Sequence, residues 1–82
     1  MNNIDESLQL IFSNILGVNL NRITDEIKYN SFENWDSLRH LQIVAAIEEE
    51  YNIELSFEDI TSLRTFKAAK EITKKYLKGQ SL

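Results

Sequence analysis

Trp35-Asp36-Ser37-Leu38, followed by a run that closes on Ala46-Ile47-Glu48-Glu49-Glu50-Tyr51, is the stretch that decides the fold. Asp36 is a strong N-cap residue, because its short side chain can accept from a first-turn N–H, so the run predicts a helix over Ser37 to Tyr51. At helical spacing Ile43, Val44, Ile47 and Tyr51 share one face. Leu38, Leu41 and Ala45 share another, beside Gln42, Glu48 and Glu49. This apolar arc is wider than a surface helix needs. Either the helix is buried on two sides, or one stripe is left for a partner.

Upstream, Ile4, Leu8, Ile11, Phe12 and Ile15 predict a first helix over 4–16. Asn3 serves as its cap, Asp5 and Glu6 suit the positive end of its dipole, and Gly17 ends it in a left-handed conformation. Residues 18–36 form a long connection, within which Ile23, Ile27, Tyr29, Phe32 and Trp35 fall without clean periodicity. A structureless loop of that length is unusual in a compact domain, so these residues are expected to pin it across the bundle. Downstream, Ser56-Phe57-Glu58-Asp59 reads as a capping box that opens a short helix. Thr65 caps a last helix, with Phe66, Ala69, Ile72, Tyr76 and Leu77 on one face and Lys67, Lys70, Lys74 and Lys78 on the other. Gly79 and the polar tail are expected to end it. The outcome is an all-α four-helix bundle, three main helices and one short one, with a long loop between the first two.

The chain has 82 residues and reads as one domain, 1–82. It has no cysteine, so it has neither disulfides nor a protein thiol that could form a thioester. The formal charge is −4, and residues 1–63 hold twelve acids against three bases. Such a body repels nucleic acid and favours encounter with basic protein surfaces. No apolar run is long enough to span a membrane. The stretch after Met1 is broken by Asp5, Glu6 and Gln9, and no small-residue cleavage site follows. A cytoplasmic protein is expected.

Asp-Ser-Leu at a helix start, then an apolar helix closing on Glu-Glu-Glu-aromatic, resembles the prosthetic-group site of the acyl carrier protein family. The resemblance extends over nearly the whole chain, including the leading amphipathic helix, the long loop and the Ile53-Glu54-Leu55 exit. It implies a carrier and not an enzyme, with 4'-phosphopantetheine from coenzyme A attached at Ser37 by a phosphopantetheinyl transferase. The expected partners are that transferase, an acyl-loading ligase or acyltransferase, and downstream synthase enzymes, all meeting a monomer. Transfer of the arm depends on positioning and charge neutralisation. Asp36, opposite in sign to Mg²⁺, can help orient the metal in the modifying complex. The resemblance also turns Ile43, Val44, Ile47 and Tyr51 to the core. Leu38, Leu41 and Ala45 then form a docking patch rimmed by Glu48 and Glu49. It further makes Ile11, Phe12, Ile15, Ile43, Val44, Ile47 and Ile72 candidates to line a channel for an acyl chain.

Two features depart from the carriers of fatty acid synthesis. Arg39 and Gln42 stand where acids are usual, and Glu33, Asn34 and Trp35 occupy the stretch where a glycine is usual. A cation at the docking face rejects basic partners, which points to a dedicated pathway carrier. Two other readings use the same residues: an aminoacyl or hydroxyacyl carrier for a ligase or peptide-synthetase-like system, and an unmodified helical interaction domain. A DNA-binding reading would need the Lys-rich last helix, on an acidic bundle. His40 is a helical neighbour of Ser37, but no third residue orients it and nothing marks an oxyanion hole, so it reads as structural.

Overall fold

The computed structural model describes residues 3–80. Four helices follow one another: α1 (Ile4–Leu16), α2 (Ser37–Tyr51), α3 (Phe57–Ser62) and α4 (Phe66–Gln80). The predicted bounds of the first two helices hold, because both carry local stop signals. The Asn3 side chain accepts from the Glu6 N–H, and Gly17 at φ 70° closes α1 with its N–H on the Ser13 carbonyl. Asp36 caps α2, and Asn52 at φ 54° ends it in the left-handed region. The last helix runs on through Gly79 to Gln80, where a stop at Gly79 was expected. Glycine lowers helix propensity but does not forbid the conformation. The rest of the expected polar tail, Ser81 and Leu82, lies outside the described residues.

Leu8, Phe12 and Leu16 of α1 pack against Ile43, Val44 and Ile47 of α2 and against Phe66 and Ala69 of α4 in one buried core. Three aromatic rings hold its centre. Phe12 stands edge-on to Trp35 at 5.1 Å and to Phe66 at 5.0 Å between ring centroids. Thr73 of α4, which apolar patterning passes over, is also fully buried.

The long connection is pinned as expected. Ile23, Ile27 and Trp35 are buried, and Tyr29 and Phe32 are partly so. It holds a 3₁₀ turn, Leu20–Arg22, that periodicity did not reveal. Its backbone bonds mostly within itself and in part with residues 64–67, as when the Tyr29 N–H donates to the Arg64 carbonyl at 2.8 Å. Asn34, itself at φ 67°, donates its side-chain amide to the Leu16 carbonyl at 2.9 Å. That bond ties the end of α1 to the residue pair that leads into Ser37.

The short α3 has no fully buried residue. Ser56 caps it by accepting from the Asp59 N–H at 3.1 Å. The reciprocal half of the expected capping box is replaced, since the Ser56 N–H donates to the Tyr76 hydroxyl at 2.9 Å. Asp59 in turn accepts from Tyr76 at 2.7 Å and from Lys75 at 3.0 Å. The Tyr76 hydroxyl, then the Lys75 ammonium, hold the Asp59 carboxyl below its ordinary value of 3.8.

Candidate functional site

Ser37 is the first residue of α2 and is exposed. It stands there because Asp36, in an extended conformation, turns the chain into the helix. The Asp36 Oδ1 accepts from the Arg39 N–H at 2.9 Å, and the Asp36 carbonyl accepts from the His40 N–H at 2.8 Å. Just before it, Trp35 is anchored in the core. A free hydroxyl on a rigid, capped helix start is thus presented to solvent, at the positive end of the helix dipole. The same surroundings fit a phosphodiester-linked arm, since nothing covers the hydroxyl and the helix end favours an added anion.

Asp36 also meets Arg39 through its second oxygen, with Nη1 at 3.4 Å and both side chains partly in solvent. A pair so exposed contributes little stability. Its effect is local, because a guanidinium now stands beside the carboxylate that precedes Ser37.

The two stripes of α2 are resolved by packing. Ile43, Val44 and Ile47 are buried, and Tyr51 is partly buried. Leu38 and Leu41 are 61 % and 60 % exposed, and Ala45 is exposed beside them. They do not pack under the loop. Glu49 is exposed at the rim. Glu48 sits differently from Glu49, half-buried with its carboxylate accepting from the Leu55 N–H at 2.9 Å. It orders the exit from α2 with the same group that was expected to face a partner.

Of the candidate channel residues, Phe12, Ile43, Val44 and Ile47 lie in the closed core, and Ile11, Ile15 and Ile72 are partly buried around it. Periodicity did not mark Phe57, which is 78 % exposed at the start of α3. Phe57 stands directly after the Ser56 cap with Ile60 three residues on, so helical spacing alone gave no signal that its ring stays in solvent.

The family described as "Phosphopantetheine attachment site" matches residues 6–71. That span contains all of α2 and α3. The chain belongs to the acyl carrier protein family. It is 35 % identical over 65 residues to an acyl carrier protein of Buchnera aphidicola subsp. Schizaphis graminum, covering 79 % of this chain and 82 % of that protein. It is 34 % identical over 77 residues to an acyl carrier protein of Buchnera aphidicola subsp. Baizongia pistaciae, covering 94 % of this chain and 99 % of that protein. The carrier therefore bears a covalent 4'-phosphopantetheine group and is not itself an enzyme. When bound, that group supplies the thiol that the cysteine-free chain lacks. A phosphopantetheinyl transferase and cargo-handling enzymes are the carrier's partners as a class. Among the described residues, no helix of the carrier is long and apolar enough to cross a membrane.

Proposed function

We propose that the arm is attached at Ser37 and that the 1–82 domain acts as a cytoplasmic monomer, presenting an acyl cargo to successive enzymes. The observation that carries this reading is the exposed Ser37 hydroxyl at the capped start of α2, inside the matched span. Asp36 supports the transfer step through its charge. Leu38, Leu41 and Ala45, with Glu49 at the rim, form the surface on which partner enzymes dock. A patch this modest suits weak, fast exchange among several partners. The test is an intact mass after incubation with coenzyme A, Mg²⁺ and a phosphopantetheinyl transferase, with Ser37→Ala alongside. Gain of one arm by the native protein alone supports attachment at Ser37. An arm on Ser37→Ala, or none on a folded native sample with several transferases, overturns it.

The Arg39–Asp36 pair favours a second, narrower reading, that of a dedicated pathway carrier. Arg39 offsets the negative charge of Asp36 next to Ser37, and Glu48 is engaged by Leu55. A partner that depends on acids along α2 loses those contacts. Full replacement of the housekeeping carrier by this protein in a reconstituted fatty acid synthase would overturn that reading.

A further inference from the structure

His40, the only histidine of the chain, is held at both ring nitrogens. The Trp35 indole N–H donates to its Nδ1 at 3.1 Å, and its Nε2 lies 3.0 Å from the Ile60 carbonyl oxygen. An indole nitrogen can only donate and a carbonyl can only accept. The two contacts therefore assign the ring: Nδ1 is bare and Nε2 carries the hydrogen. The imidazole stacks on Trp35 at 6.1 Å and tilts against Tyr29 at 4.9 Å. It closes one side of a cavity of about 130 Å³, whose other walls are Tyr29, Ile60, Thr61, Leu63 and Arg64.

These bonds join three separate elements at a point one turn along α2 from Ser37. The loop arrives through Trp35, whose backbone leads directly into the Asp36 cap. The short α3 arrives through Ile60. α3 buries no side chain fully and packs on the core through Ile60, so polar bonds share in setting its place. On the α4 side these are the contacts of Asp59 with Tyr76 and Lys75, and on the α2 side the contact is the His40 ring. We propose that His40 is a positioning residue: it sets α3 and Trp35 against the first turn of α2, so that a partner enzyme meets Ser37, Leu38, Leu41 and α3 in one arrangement. This role rests on the attachment of the arm at Ser37. In this role His40 acts through Trp35 and Ile60.

Three substitutions separate the two bonds. His40→Asn places an amide oxygen near the position of Nδ1 and keeps an acceptor for Trp35. His40→Gln places an amide N–H near the position of Nε2 and keeps the bond to Ile60. His40→Leu removes both. Asn3→Ala is the stability control. It weakens the cap of α1 at the far end of the bundle, where the Tyr51 hydroxyl meets the Ile4 carbonyl, about 21 Å along α2 from Ser37.

The assay is modification of Ser37 by a phosphopantetheinyl transferase with coenzyme A and Mg²⁺, read as KM and kcat for the carrier. Hydrogen exchange at the Trp35 indole N–H is measured beside it. His40→Leu is expected to raise KM about tenfold with little change in kcat, and His40→Gln to restore most of it. Indole exchange should quicken in His40→Leu and His40→Gln but not in His40→Asn. Asn3→Ala should leave KM at its native value. The role is overturned if His40→Leu has native KM, if Asn3→Ala loses as much, or if folded His40→Gln restores nothing. A native protein that takes no arm overturns the attachment reading and this role together. A native protein that is modified, with unchanged His40→Leu kinetics, overturns this role alone.

Discussion

Asp36 does two things with one carboxylate, and two substitutions can separate them. Its Oδ1 caps α2 by accepting from the Arg39 N–H at 2.9 Å. Loss of a cap of this kind costs about 1 kcal/mol. Its negative charge at the helix N-terminus and its exposed pairing with Arg39 add about 0.5 kcal/mol more, since both are screened by water. Asp36→Ala should therefore destabilise the fold by about 1–2 kcal/mol, equivalent to a fall of roughly 4–15 °C in Tm for a domain of this size. Asp36→Asn keeps a side-chain oxygen for the cap and loses only the charge, so its cost should stay near 0.5 kcal/mol. Thermal melting followed by circular dichroism measures both. Transfer of the arm should respond differently. If the carboxylate charge helps to orient Mg²⁺, both variants lose about tenfold or more in the rate of Ser37 modification, although only one loses the cap. Native-rate modification of Asp36→Asn would show that the charge has no part in transfer. Equal destabilisation by Asn and Ala would show that the Oδ1 bond is not what holds the start of α2.

Two other predictions concern the scaffold. The Thr73 hydroxyl is fully buried with no hydrogen-bond partner among the described residues, so Thr73→Val should stabilise the protein by about 1 kcal/mol. A urea midpoint that stays put or falls, at unchanged m, would refute this. Asp59, held below 3.8 by Tyr76 and Lys75, contributes stability above its unfolded value and loses it as pH falls through its lower folded value. The stability gap between native protein and Asp59→Asn should therefore be constant from neutral pH down to about 3.8 and close below it. A gap that persists or widens in acid would refute the ion and hydroxyl contacts as its source.

Local sequence signals determined the helices and the place of Ser37 at the start of α2. Asn3, Gly17, Asp36, Ser56 and Thr65 act on backbone groups within a few residues of themselves, so their roles can be read directly from their neighbours. The exposure of Ser37 follows from its position behind the Asp36 cap, and the inward face of α2 follows from helical spacing. Tertiary structure decided everything that depends on residues distant in the chain. Which apolar stripe of α2 stays in water depended on where the loop lay. Glu48 turned to Leu55, and Asp59 turned to Tyr76 and Lys75, because packing placed those partners within hydrogen-bond reach. Thr73 was buried because its helix face met the core, at the cost of a hydroxyl unpaired among the described residues. His40 joined α3 because the fold brought Ile60, 20 residues away in sequence, to its ring. Periodicity and capping report on one helix at a time, whereas the position of one helix against another is set by shape and by bonds that form only once the chain has closed.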